Sequence, residues 1–119
     1  MNREEQNTQI AAMRFLDAAL IPPAFAFHVP NGGKRTRVEA AILKAMGVKA
    51  GVPDVFVIAP GTVVAIEMKA KGGTARKNQE ARMADLRECG ISTAVCRTVG
   101  EVEATVLAAG VRLRARLSA

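Results

Sequence analysis

Two periodicities of apolar and polar positions alternate along the chain. Over residues 4–20, Glu5, Gln9, Ala12, Met13, Leu16 and Leu20 recur at steps of three and four, which predicts a first helix. Pro22-Pro23 ends it, since neither proline can continue the hydrogen-bond ladder. Phe25 to Val29 reads as a short strand and Pro30-Asn31-Gly32-Gly33 as a turn. A second helix opens at Lys34-Arg35-Thr36-Arg37 and runs through Met46, with Gly47 as its C-cap. Two apolar, β-branched runs, Val55 to Ala59 and Thr62 to Ile66, flank Pro60-Gly61 and predict a hairpin of core strands. After the loose Lys71-Gly72-Gly73 turn, Thr74 caps a helix to Cys89 that Gly90 ends. Ser92 to Thr98 is a further strand, and a helix spans Glu101 to Ala109. The pattern implies one α/β domain over residues 1–119, with a mixed sheet and helices on its faces. The tail from Val111 alternates, placing Arg112, Arg114 and Arg116 on one side. An edge strand, a partner-chain contact and a basic arm over about 111–119 on nucleic acid all fit it.

Three charges interrupt the hairpin: Asp54, Glu67 and Lys69. If the chain reverses symmetrically about Pro60-Gly61, residues whose numbers sum to 121 face each other, and Asp54 meets Glu67. Their Cβ atoms would then lie roughly 5 Å apart. Strand alternation puts Lys69 on the face of Glu67 and the Met68 side chain on the other. Like charges directly opposed in a sheet are unstable unless neutralised. A divalent cation does this, and one or two carboxylates suit Mg²⁺ or Mn²⁺, with the Met68 carbonyl as a further oxygen. The bland alternative is a strand-capping Asp54 beside an exposed Glu67-Lys69 ion pair of little energetic worth. Glu5, on the core-facing stripe of the first helix, is placed to lean over these acids as a third ligand, with Glu4 as its rival; a carboxylate is also welcome in any first helical turn for dipole reasons.

Half of the residues are apolar, which excludes a disordered chain. No apolar run approaches membrane-spanning length, and Met-Asn-Arg-Glu-Glu-Gln does not resemble a signal peptide, so a soluble, cytoplasmic protein without membrane contact is expected. Cys89 and Cys96 are outside zinc-ligand spacing and read as reduced thiols. His28 is the single histidine, which leaves little material for a Ser-His-Asp triad or a multi-histidine metal site; it reads as a packed or hydrogen-bonded residue. The formal net charge of +6 points to a polyanionic partner. With no Trp or Tyr and four Phe, backbone contacts to duplex DNA are favoured over base stacking.

Lys34, Arg35 and Arg37 follow the Gly32-Gly33 turn into a helix start, a plausible phosphate seat, although a solvated basic loop explains them equally well. Lys71, Arg76 and Lys77 extend the basic surface to the third helix, where Gln79 lies near the inward stripe at the end close to Lys69. Arg82 and Arg87 continue that helix's basic outer face.

Pro53-Asp54, a gap, then Glu67-Met68-Lys69 resembles the Pro-Asp...(Asp/Glu)-x-Lys nuclease signature. The flanks, His28-Val-Pro-Asn-Gly-Gly-Lys-Arg, Leu43 through Asp54, Gln79 and Leu86 to Gly90, are similar to stand-alone virus-type replication-repair nuclease (VRR-NUC) domains of phages and bacteria, from about Glu5 to Val99. The resemblance implies a restriction-endonuclease-like core with a catalytic hairpin. It implies that Asp54 and Glu67 hold Mg²⁺, that Lys69 assists the attacking water, that Glu5 is the third acid, and that Gln79 hydrogen-bonds the nucleophile or a ligand. Arg76 stands where members of the family usually carry Ser. The expected activity is structure-selective cleavage of DNA, of Holliday-junction-resolvase type on a four-way junction by a homodimer, in a bacterial or phage-infected cell. A flap or nicking nuclease in phage replication or repair and a non-catalytic DNA-binding accessory are the alternatives.

Overall fold

The computed structural model describes residues 2–31 and 33–117. Gly32 of the expected turn and the last two residues of the basic tail lie outside them. Helix α1 spans Arg3–Ala19, and its N-cap Asn2 accepts the Glu5 N–H, satisfying a donor with no partner inside the helix. Strand β1, Phe25–His28, leads to α2, Arg37–Ala45. The hairpin is β2, Val55–Ala59, and β3, Thr62–Met68. Helix α3, Lys77–Glu88, crosses to β4, Ser92–Cys96, and α4 covers Val99–Ala108.

The sheet order is β1-β2-β3-β4. The first two pairings are antiparallel and the last is parallel. Antiparallel neighbours need only a turn, whereas the parallel step from β3 to β4 needs the crossover that α3 provides. One sheet face, carrying Val55, Val57, Val64, Ile66 and Met68, packs on Ala12, Leu16 and Leu20 at α1 and Val102 and Val106 of α4. The opposite face presents Glu67 towards α3. This is the restriction-endonuclease-like α/β arrangement, a mixed four-stranded sheet flanked by helices.

Several element ends differ from the sequence expectation because a side chain captures a terminal N–H. Helix α2 begins at Arg37, not Lys34, because Thr36 caps it by accepting the Glu39 N–H at 3.0 Å. Thr74 does not cap α3; the N-cap is Arg76, whose N–H donates to the Gln79 side chain at 2.8 Å. Strand β4 stops at Cys96 because Thr98 caps α4 through the Glu101 N–H at 3.0 Å. The tail is no full strand: it makes one bridge, Leu113 to Leu20. Its arginines turn back on the protein. Arg114 donates to the carbonyls of Ala18 and Ala19 at the end of α1, and Arg116 pairs with Glu103 at 3.2 Å.

Gly51 locks the loop before Asp54 against the start of α3. It adopts φ +79°, and a Cβ there would overlap the Asn78 carbonyl group. Gly61, in the hairpin turn, has a similar φ of +72° but open space around it. Gly51→Ala is therefore expected to cost roughly 2–4 kcal/mol, from strain plus backbone displacement, and Gly61→Ala about 1 kcal/mol from φ alone. Urea denaturation of the two variants measures both, and equal losses would remove the steric contribution assigned to Gly51.

Candidate active site

The hairpin register pairs Val55 with Ile66 and Ala59 with Thr62, so Asp54 stands opposite Glu67 where β2 begins. Asp54 is held by backbone from more than one element, and Glu67 by side chains. The Asp54 Oδ2 accepts the Met68 N–H at 2.9 Å. Its carbonyl accepts the Val29 N–H at 2.7 Å and the His28 Nδ1–H at 2.8 Å, so His28 pins the Asp54 backbone. Glu67, only 3% exposed, receives Gln79 Nε2 at 3.1 Å and Lys69 Nζ at 3.5 Å on Oε2. The Gln79 carboxamide is fixed in turn by accepting the Arg76 N–H, so the helix cap orients the donor to Glu67. The Met68 side chain is buried in the core, leaving its backbone on the acid side.

Glu67 Oε1 is buried with no hydrogen-bond partner. Burial first, and then the neighbouring Asp54 carboxylate, push the Glu67 carboxyl up from an ordinary 4.5 to about 8, against the opposing pull of Lys69. A buried acceptor without a donor, beside a second acid, suits a hard divalent cation. The residues present therefore fit the metal that the donor set implies. Glu5 lines the same cleft, whereas Glu4 does not. Their carboxylates accept the Ala70 and Lys71 N–H groups respectively, each at 3.2 Å. Among the described residues no three acidic, histidine or cysteine side chains converge as a ready-made metal cluster; Glu5 shares the cleft with the acid pair but is tied to the end of β3.

The cleft has a volume of about 800 Å³. Of the cations singled out from sequence, Arg35 and Arg76 line it; Lys34, Arg37, Lys71 and Lys77 do not. Lys44, Lys49 and Arg82 do, and sequence reading did not assign them to the site. Position on a helix periodicity gave no way to tell which face of α2 borders the cleft, because α2 buries no residue. Arg82 also donates to the Ala50 carbonyl at 3.3 Å, joining α3 to the loop that delivers Asp54.

The raised Glu67 pKa has a definite consequence for stability. Between pH 4.5 and about 8 the folded protein keeps a proton that the unfolded chain has lost, so the metal-free protein becomes less stable as pH rises through that window and levels off above it. Glu67→Gln, neutral throughout, is expected to lose this slope. Urea midpoints between about pH 5 and 9 in EDTA test this, and identical slopes for the two proteins would contradict it.

The VRR-NUC domain family model matches residues 25–100. A solved structure of a VRR_NUC domain protein superposes with a TM-score of 0.72 at 24% identity, covering 92% of this chain and 89% of that chain. That likeness carries the fold. No curated protein is similar enough to match. Among the described residues, no helix is long and apolar enough to cross a membrane. With the family model spanning more than half of the chain and the acid pair and lysine of its signature on one hairpin, the chain belongs to the VRR-NUC family, nuclease domains of the PD-(D/E)xK type.

Proposed function

We propose that this protein is a metal-dependent endonuclease that hydrolyses phosphodiester bonds in branched DNA, of Holliday-junction-resolvase type, and acts as a homodimer. The observation that carries the chemistry is the buried Glu67 facing a half-buried Asp54, with Lys69 beside it and Glu67 Oε1 left without a donor. Asp54, Glu67 and the Met68 carbonyl, with Glu5 from the cleft wall, would hold Mg²⁺ or Mn²⁺. The ion supplies Lewis-acid chemistry, activating water and offsetting charge on the phosphoryl oxygens.

The chain's own groups do the rest. Lys69 places a cation next to the carboxylates, where it orients the attacking water and stabilises negative charge developing at phosphorus. Gln79 keeps Glu67 in one rotamer by donating to Oε2, which leaves Oε1 directed away from that bond. His28 and Val29 hold the Asp54 backbone. Arg35, Lys44, Lys49, Arg76 and Arg82 supply phosphate contacts along the cleft, with Lys34, Arg37, Lys71 and Lys77 available to a longer duplex beyond it. Such contacts position the backbone and carry little sequence information. A two-fold protein matches a two-fold substrate, so a homodimer offers two sites for paired cuts across a four-way junction.

End-labelled four-way junction, flap and linear duplex, incubated with Mg²⁺, Mn²⁺ or EDTA, test this reading. Symmetric junction cuts that need metal are expected. Asp54→Ala, Glu67→Ala and Lys69→Ala should each lower cleavage by at least about 10³-fold, and Gln79→Ala by about 10–100-fold, with DNA binding in EDTA largely kept. Binding without cleavage in any divalent metal would instead favour a non-catalytic DNA-binding accessory. Single-strand nicks or flap cuts alone would favour a flap or nicking nuclease. Replacing Lys44, Lys49 or Arg82 with Ala should reduce the slope of log affinity against log salt by about 0.9 for each duplex phosphate left without its cation. Affinity titrations at several salt concentrations measure this, and unchanged slopes would remove these cations from the DNA path.

A further inference from the structure

Lys69 carries the cation beside the acids, yet its head group is loosely held. Its Nζ lies 3.5 Å from Glu67 Oε2, longer than the roughly 2.8 Å of a charge-assisted hydrogen bond. That carboxylate is its single charged partner among the described residues. Only 11% of the side chain is exposed, so its direction is set by the backbone that carries it and by what packs on its stem.

That backbone is fastened residue by residue. Four successive N–H groups each go to a different acceptor: Met68 to Asp54 Oδ2 at 2.9 Å, Lys69 to the Cys96 carbonyl at 3.0 Å, and Ala70 and Lys71 to Glu5 and Glu4, each at 3.2 Å. Gly73 then folds back, its N–H donating to the Ala70 carbonyl at 2.9 Å. The turn brings Gly73 against the Lys69 stem: a Cβ on Gly73 would stand 3.1 Å from the Ala70 carbonyl oxygen and 3.5 Å from the Lys69 Cβ.

One side chain holds the far end of this turn. Arg97 donates to the Gly73 carbonyl through both Nε, at 3.1 Å, and Nη2. It follows Cys96, which accepts the Lys69 N–H, and its own N–H donates to Glu101 Oε1 at 2.7 Å. The end of β4 and the first turn of α4 therefore fix it together. A guanidinium suits the task, because its planar fork offers several donors in a set geometry. Arg97 does not line the cleft, which sets it apart from the cations there.

We propose that Arg97 is a positioning residue for Lys69: by clasping the Gly73 carbonyl it holds the turn over residues 70–73 against the Lys69 stem and keeps the ammonium beside Glu67. Its effect on cleavage rests on the nuclease reading above; the clasp itself does not.

The test compares the full chain with Arg97→Ala and with Arg97→Lys, which keeps the charge and a donor and carries the comparison should the alanine variant not fold. Two readouts need no cleavage. In EDTA, acylation of Lys69 by N-hydroxysuccinimide acetate, read by mass spectrometry relative to the exposed Lys77, should run severalfold faster in Arg97→Ala, and the Lys71 and Gly73 amides should exchange faster. On the DNA that the parent cleaves, kcat should fall ~10–100-fold with KM unchanged, and Arg97→Lys should recover part of the loss. The salt dependence of binding in EDTA should stay as in the parent. Unchanged acylation and exchange overturn the proposal. So does a change confined to KM, or a smaller salt slope, which would make Arg97 a phosphate contact. A parent that cleaves no DNA removes the nuclease reading, while faster acylation of Lys69 still establishes the clasp, so the two ideas fail separately.

Discussion

Two carboxylates facing each other across a buried hairpin are the constraint around which the rest of this structure is arranged. A pair of like charges in such a position raises the energy of the folded state, and the protein meets this with partial measures. Lys69 approaches one oxygen of Glu67 and Gln79 donates to the same oxygen. The other oxygen has no donor, and the carboxyl is pushed up to about 8. Full compensation by protein groups would leave a stable but inert ion-pair network. Incomplete compensation is what suits the pair to the cation proposed above, so the strain at the acids and the chemistry proposed for them have the same physical origin.

The second requirement is that elements distant in sequence meet at these acids within hydrogen-bond distance. The Asp54 backbone is fastened by β1 through Val29 and His28. The loop before it can approach α3 only because Gly51 has no Cβ. Helix α3 begins where Gln79 accepts the Arg76 N–H, so one residue both caps the helix and orients Glu67. On the far side of the sheet, Met68 inserts into the core between the two polar residues that flank it in sequence. Burial of Met68 therefore fixes the direction in which Glu67 and Lys69 project.

Sequence alone was sufficient for the hairpin, its register and the positions of Asp54, Glu67 and Lys69, because a period of two and a short turn leave few ways to pair two strands. The register about Pro60-Gly61 is the one expected. The four helices were legible from their spacing, but the starts of α2, α3 and α4 were not, since each depends on which side chain reaches a terminal N–H. Membership of the VRR-NUC family was legible from the order of short motifs along the chain and agrees with the family match over residues 25–100.

What only the tertiary structure decided is which charges share a space with the acids. Lys44, Lys49 and Arg82 border the cleft while Lys34, Arg37, Lys71 and Lys77 do not, because a helix pattern specifies which residues share a face but not what that face meets. The same holds for Glu5 and Glu4, adjacent in sequence and separated by one N–H of the strand end they bind. The exposure of Phe25 and Phe27 is likewise a tertiary fact: they lie open on the edge strand β1, on the face opposite Ala26, which packs against the core. Local pairing rules determined the acids and their register; long-range packing chose their neighbours, because burial and proximity belong to the folded surface and not to any stretch of chain.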